Sequence, residues 1–540
     1  MKDIALPPLR PAAQVMRLAR MGAGFPTRLS FLRCLTRRLA REGAELRRPV
    51  WQIDAEGYGH AVYTIALGGH DYSLVAVSSP LADEDRSDRV IATAWDTAYV
   101  LFDGIPGPED IARITANAPL QEAGRFGPRD LVLSRANKSV RLFGHIVEHL
   151  RAGQQPDRDQ IDAVGYLMRT TAVYGNGKFG IADRALIAGR PGLQGPFAAE
   201  MLTVWMIRTF THDLVEHLGG APLDPDLKRR LGIGNSTGLG MAPFLVSHPV
   251  LLNNWIAARE TALARVLAMP DISPEARARL HTLALRAAQH LADWRVPDPR
   301  AQGEIAQTAR EWPQVIAAVA QGSPSQILAA TDALSVQTQE LTVALLLEPF
   351  GEVIDDLAET MADTAPPTPL PPDTVEDLRA RIAAQFGWAL ALDFDDPAHL
   401  RRFWYVSEEK NEPRLGDRFA EPGAERESPL DIARRVQALH RALPERGPLR
   451  AFREAHPQHE MALARVLLAD AHPYSEIQDN LLADTTRPID MLRCKLAFFG
   501  ATGFDPKSDL WTRVTLCRGA PLPEDLSTPL ADDWWLRASA

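Results

Sequence analysis

Two hydropathy periods divide this chain. Between residues 50 and 103 the apolar side chains come in short β-branched and aromatic runs, VWQID, HAVYTIAL, YSLVAVSS and RVIATAWDTAYVLF. The turn GGHD at 68–71 joins the second run to the third at hairpin distance, so the segment predicts a small antiparallel sheet. From about residue 128 the apolar positions recur every three or four residues. That spacing predicts helices over 129–151, 158–173, 197–218, 249–268, 273–294, 303–320 and 335–361. Ser247 and Pro249 suit a helix start, where a side-chain acceptor is useful and a missing N–H costs nothing. DTAPPTPLPPD at 363–373 cannot continue a helix and reads as a semi-rigid spacer. Beyond it TVEDLRARIAAQFGWAL, SPLDIARRVQALHRAL, EMALARVLLAD and RPIDMLRCKLAFFG are again helical in pattern.

The expected fold class is therefore α+β, predominantly α-helical, with a small antiparallel β-sheet near the N-terminus at about residues 50–103. A chain of 540 residues exceeds one hydrophobic core. The reading divides it into a basic N-terminal helical arm (1–48), a sheet subdomain (49–127), a helical domain (128–362), the Pro-rich linker (363–373) and a C-terminal helical domain (374–540). YLMRTTAVYGNGKFG and DMLRCKLAFFGATGF both run a helical stretch into a Gly-punctuated turn; a duplication or two helix C-caps would each explain it.

Charge modifies this picture at one end. Residues 1–48 hold eleven Lys or Arg against Asp3, Glu42 and Glu45, a balance that suits a membrane-surface or nucleic-acid arm, an organellar presequence, or a docking helix. Leu32, Leu35 and Leu39 at helical spacing, ringed by Arg33, Arg37 and Arg38, favour the docking helix. The net charge of −10 argues against nucleic acid as the main ligand. The three cysteines are too few and too scattered for a disulfide framework or a Cys-rich zinc module. No secretory signal and no membrane span is expected, because FAAEMLTVWMIRTF carries Glu200 and Arg208 inside it. A cytoplasmic protein is the expectation.

Candidate chemistry is scattered. GHIVEHLRAG contains His145, Glu148 and His149 in the order H-x-x-E-H, and over ten residues it resembles the zinc helix of the inverted-zincin peptidases. No downstream ligand helix matches, so that family is not claimed. On a helix these three residues lie opposite the stripe Leu142, Phe143, Ile146, Val147 and Leu150, beside Arg141, which reads as a solvated face. HDLVEH at 212–217 has the wrong spacing for zinc. YGNGKFGIADR matches G-x-G-x-x-G but follows a helical pattern rather than a strand. It reads as an anion-binding turn or a helix end, with Asn176 and Lys178 as binding candidates.

Three further segments offer polar groups. Asn235, Ser236 and Thr237 lie between glycines in GIGNSTGLG, without the elbow of a serine hydrolase. FWYVSEEKNEPRLGDR mixes Tyr405, Glu409, Lys410, Arg414 and Arg418 with apolar aromatics whose burial would shift the neighbouring pKa values. HPYSEIQDNLLAD supplies Glu476 at a helix start.

These groups support an enzyme acting on a small anionic metabolite, a carboxylate or phosphate, by proton abstraction or elimination, without a cofactor. Tyr405, Glu409, Lys410 and Glu476 would transfer protons. Asn176, Lys178, Asn235, Ser236, Thr237, Arg414 and Arg418 would bind substrate, the guanidinium groups as forks on the anion. No metal is assigned, and a homo-oligomer is compatible with the composition. The alternatives are a zinc-dependent hydrolase using His145, Glu148 and His149, and a non-catalytic helical interaction protein.

Overall fold

The computed structural model describes residues 6–17, 20–21, 27–86, 94–120, 126–175, 187, 189–235, 249–296, 299–359, 361, 369–393, 395–396, 404–406, 413–415, 430–477, 497–500, 503–508 and 511–533. They form two compact units. One comprises Phe25–Gly238, Leu496–Asp505 and Arg513–Ala540, and the other Met1–Gly24, Leu239–Lys495 and Pro506–Thr512.

The described strands are β1 (Arg47–Ile53), β2 (Gly59–Leu67), β3 (His70–Ser78), β4 (Thr97–Asp103), β5 (Asp130–Lys138), β6 (Tyr166–Gly175), β7 (Gly232–Asn235), β8 (Trp404–Val406), β9 (Pro413–Leu415), β10 (Gly503–Ser508) and β11 (Trp511–Leu516). Nine of them make one sheet in the order β1-β2-β3-β4-β5-β6-β7-β11-β10, while β8 pairs with β9 alone. The fold is α+β and helix-rich, as expected. The sheet, however, is neither small nor confined to residues 50–103, and its β6–β7 pair is parallel.

The reason lies in burial. Along β2 to β4, alternate residues serve opposite faces: Val62, Val75, Val77, Ala98, Val100 and Phe102 pack with Ile114 and Ala118 of the 108–118 segment. Tyr63 and Tyr99 point the other way, onto Phe210. In β5 every residue but Arg135 is buried, so the alternation that marks a half-exposed strand is absent and the apolar run imitates a helix. The helix expected over 129–151 is therefore β5 followed by a helix at 143–151, and that expected over 158–173 is a helix at 158–164 followed by β6. Between the latter two stands Gly165 at φ 79°, left-handed backbone that glycine adopts without steric cost.

The helices of this unit are α1 (Phe31–Arg41), α2 (Pro108–Asn117), α3 (Phe143–Arg151), α4 (Arg158–Val164), α5 (Ala198–Gly219) and α6 (Pro225–Arg230). The basic N-terminal segment docks on its own chain: Leu32, Leu35 and Leu39 of α1 are buried, Phe31 stacks on Phe197, and Arg28 pairs with Asp532 at 2.8 Å. Helix α5 is apolar around most of its circumference, as a helix enclosed by other elements must be. Its Arg208 is buried and donates to five backbone carbonyls, those of Leu231 (2.8 Å), Ala520 (3.0 Å), Lys228 (3.2 Å), Pro521 (3.3 Å) and Arg229 (3.4 Å).

The other unit holds α7 (Pro249–Leu267), α8 (Pro274–Asp293), α9 (Pro299–Gln321), α10 (Pro324–Ala329), α11 (Val336–Leu347), α12 (Gly351–Glu359), α13 (Val375–Leu390), α14 (Leu430–Ala442), α15 (Leu449–Ala455) and α16 (Glu460–Ala471). Their starts are legible: Ser273, Ser323, Ser335 and Thr374 each accept the amide three residues on. Helices α13 to α16 share a core of Val375, Leu378, Ile382, Val436, Leu439, Leu463 and their neighbours. No described helix is long and apolar enough to cross a membrane.

Two stability predictions follow from α5. Replacing Arg208 with Met leaves buried carbonyls without donors and should lower the unfolding free energy by about 3 kcal/mol or more in urea titrations. Buried His212, one turn further on, is held well below the ordinary imidazole value by burial, then by Arg208 and Lys228. An unfolded chain takes up that proton near pH ~6.5 and the folded chain does not. The stability present above about pH 6.5 is thus lost as the pH falls toward the folded value, at up to ~1.4 kcal/mol per pH unit. A His212→Leu variant should lose less stability than the parent between about pH 7.5 and about pH 5.5, measured by urea midpoints.

Candidate functional site

Strands β4 and β5 run antiparallel with Thr97 opposite Ala136, which brings the residue preceding β4, Asp96, beside the last residue of β5, Lys138. The two chain segments are sewn together. The Asp96 N–H donates to Asn137 Oδ1 at 2.9 Å, the Asn137 amide donates to the Ala94 carbonyl at 3.0 Å, and the Lys138 N–H donates to both Asp96 oxygens at 3.2 Å. Arg86 Nε completes the carboxylate's partners at 2.8 Å. Asp96 is 0% exposed and Lys138 7%.

The side chain of Lys138 ends between two aromatic rings. Its Nζ lies 5.6 Å from the centroid of Tyr58 and 5.5 Å from that of Phe143, the first residue of α3. Such faces attract an ammonium but accept no proton from it in a conventional hydrogen bond. Among the described residues Nζ has no hydrogen-bond acceptor. Two neighbouring donors share that condition, the indole Nε1 of Trp95 and the hydroxyl of Ser139, both buried and unpartnered. Arg135 lies 3.5 Å above the Trp95 ring.

Burial pushes the Lys138 amine below the ordinary lysine value, Asp96 pulls it up, Arg86 lowers it and Asp54 raises it, with a net lowering. Burial likewise pushes the Asp96 carboxyl up against the opposing pull of Lys138 and Arg86, with a net rise. Burial thus disfavours the charged form of both groups. The chain holds seven lysines among fifty-nine basic residues. Lys138 is the one buried lysine among the described residues, whereas Arg28, Arg33, Arg208, Arg229 and Arg259 are buried arginines. Arginine stays charged in a protein; lysine can lose its proton when desolvated.

Other charged clusters serve the fold. Arg10 grips Glu260 with two bonds of 2.7 Å and reaches Glu340 at 3.2 Å. Arg259 pairs with Glu340 and Arg20 approaches it at 3.4 Å. Glu340 is wholly buried; burial raises its carboxyl, and Arg259, Arg10 and Arg20 bring it net below the usual value. Asp103 is shared by His70 Nε2 (2.6 Å) and Arg190 (2.7 Å), which clamps residue 190 to the β2–β3 hairpin.

The sequence-derived candidates fall as follows. Asn176, Lys178, Ser236, Thr237, Glu409, Lys410 and Arg418 lie outside the described residues. Asn235 ends β7, in register with Thr170 and Val514, so GIGN is a strand rather than the start of a polar loop. Tyr405 and Arg414 are direct cross-strand partners in the β8–β9 ladder. Glu476 is buried and both of its oxygens are held by Arg465, one at 3.0 Å. On α3, His149 Nδ1 lies 2.8 Å from the His145 carbonyl oxygen, and the two rings are 4.0 Å apart. No group of three or more His, Cys, Asp or Glu among the described residues could hold a metal ion.

Sequence reasoning missed Asp96 and Lys138 because β5 reads as part of the helix expected over 129–151. The available signal was LVL bounded by Asp130 and SRANK, a short apolar run of strand length. An Asp96→Ala variant should cost about 3–5 kcal/mol, since it removes the counter-charge nearest Lys138 and the buried partner of Arg86, whose other carboxylate, Asp83, is exposed, and the isosteric Asp96→Asn about 1–3 kcal/mol. Chemical denaturation of both variants checks this ordering. Compared with protein-family models, with curated proteins and with solved structures, the chain finds no match.

Proposed function

We propose that this protein is an enzyme that acts on a small anionic metabolite by acid–base chemistry, with Lys138 and Asp96 as the proton-transfer pair. The observation that carries the reading is the buried Lys138 side chain facing two aromatic rings, with unpaired donors on the residues next to Lys138 and Asp96. Trp95 Nε1 and Ser139 Oγ, next in sequence to Asp96 and Lys138 on two segments hydrogen-bonded to each other, are buried and lack an acceptor among the described residues. A buried donor left unpaired costs about 1–3 kcal/mol, so an acceptor-rich ligand would complete these two. A carboxylate or phosphate has the required lone pairs and the charge opposite to Lys138. Lys138 would take the substrate proton as its neutral amine, and Asp96 would set how readily that amine is recharged.

A second reading places the proton transfer on the β8–β9 hairpin, with Glu409 and Lys410 beside it. It rests on Tyr405 and Arg414 being partners in the backbone register of that hairpin. In that reading Asn176, Lys178, Asn235, Ser236, Thr237 and Arg418 are substrate contacts and Glu476 a further acid.

The test is thermal unfolding of the whole chain with acetate, succinate, pyruvate and inorganic phosphate, run in parallel on Lys138→Met and Tyr405→Phe. At least one anion should raise the parent midpoint by about 2–4 °C for each kcal/mol of binding. Loss of that shift in Lys138→Met alone supports the first reading, and loss in Tyr405→Phe alone supports the second. An unchanged shift in Lys138→Met overturns the Lys138 assignment, and no shift with any anion counts against both.

A further inference from the structure

We infer that Arg158, Arg230 and Arg518 form a binding site for a dianionic phosphate group, on residues that the Lys138 reading does not use and independent of that reading. The observation is an imbalance of charge. Asp162 of α4 is shared by three guanidinium groups. Arg230 Nη1 donates to both of its oxygens, at 2.8 and 3.0 Å, Arg518 Nη2 donates to Oδ1 at 2.7 Å, and Arg158 Nε lies 3.7 Å from Oδ2. Three positive charges thus meet one negative charge, an excess of two. No other hydrogen bond or ion pair holds these guanidinium groups among the described residues, and the buried Nε of Arg518 has no acceptor. Each guanidinium carries five N–H donors, so most of those in the cluster remain to be used.

The fold builds this convergence from three separated segments: Arg158 opens α4, Arg230 closes α6 and Arg518 follows β11. The Gly519 N–H donates to the Arg229 carbonyl at 2.7 Å and the Gly232 N–H to the Gly165 carbonyl at 2.9 Å, which ties the three together. Arg518 lies against Gly165, where a Cβ would stand 3.4 Å from Nη1. The side chains of Arg158, Arg230 and Arg518 are 33%, 19% and 20% exposed, so a solute can reach them. The cluster of Arg10, Arg20 and Arg259, by contrast, closes on Glu260 and Glu340, both buried. Burial lowers the Arg518 guanidinium, Asp162 raises it and Arg230 lowers it again, with a net fall that suits an under-neutralised cation. A phosphate ester carries close to two negative charges at neutral pH, about the excess found here, and its oxygens match guanidinium forks. A monoanion would leave one positive charge over.

The experiment is calorimetric titration of the full chain with inorganic phosphate, glycerol 3-phosphate and acetate at fixed ionic strength and slightly alkaline pH. Phosphate should saturate one site, and Arg158→Gln and Arg230→Gln should each weaken it about tenfold or more. Arg158 has the longest of the ion pairs, so its variant keeps the test open if Arg230→Gln fails to fold. Glycerol 3-phosphate binding at least as tightly as phosphate assigns the site to phosphate esters, and binding of phosphate alone assigns it to the free ion. A phosphate affinity that falls in Arg158→Gln and not in Lys138→Met belongs to this cluster, and the Lys138 reading is then judged on the carboxylates. No saturable phosphate binding below ~10 mM, an affinity unchanged in folded Arg158→Gln, or equally tight binding of acetate overturns the inference.

Discussion

One guanidinium ties the sheet unit together. Arg208 stands inside a helix that apolar residues surround, with no carboxylate in contact among the described residues, and its charge is shared among the carbonyls of two distant stretches, 228–231 and 520–521. Carbonyl dipoles solvate the cation without cancelling it. Burial accordingly pulls its pKa down to about 10, with Arg229 adding to the fall and Cys517 and Asp525 opposing it, and it remains charged at neutral pH. The indole of Trp205, one turn earlier, adds a bond of 3.1 Å to the Pro521 carbonyl. The C-terminal segment is thereby returned to α5, and β11 can pair with β7 through Val514, Thr515 and Leu516.

That return explains the local sequence of β7. Enclosed between β6 and β11, the strand has no room for a side chain at residues 232 and 234: a Cβ on Gly234 would stand 2.9 Å from the Tyr166 ring, and one on Gly232 would stand 2.2 Å from the Leu516 carbonyl oxygen. Glycine is required by close approach here, and the polar loop that GIGNSTGLG suggests begins, at its first four residues, as a buried strand.

The contrast between cations organises the rest. Arg113 forks onto Asp130 at 2.6 and 3.0 Å, and Arg10 onto Glu260 at 2.7 Å twice, planar groups meeting planar partners. Lys138 breaks this habit at the end of β5, where two aromatic rings enclose it and a buried carboxyl sits one strand away. Proteins place unsatisfied polar groups where a ligand or a reaction completes them, which is why this position, and not the denser Arg10–Glu260–Glu340 cluster, is the candidate centre.

Helices with one apolar stripe and a capping serine were readable from the chain, because their burial is one-sided and their ends satisfy their own amides: Ser273, Ser335 and Thr374 mark starts within a residue of those expected. The hairpin at GGHD and the strands around it were readable for the same reason, alternate positions serving two environments. The sequence by itself thus determined a helix-rich α+β chain and the docking stripe of α1. Only the tertiary structure decided that 130–138 and 166–175 are strands, since a segment enclosed on both faces shows no period. It alone joined Asp96 to Lys138, forty-two residues apart, because that meeting depends on the antiparallel register of β4 and β5. Burial sets Lys138 apart from the other described lysines, and burial is a property of what surrounds a residue, which no local run of letters encodes.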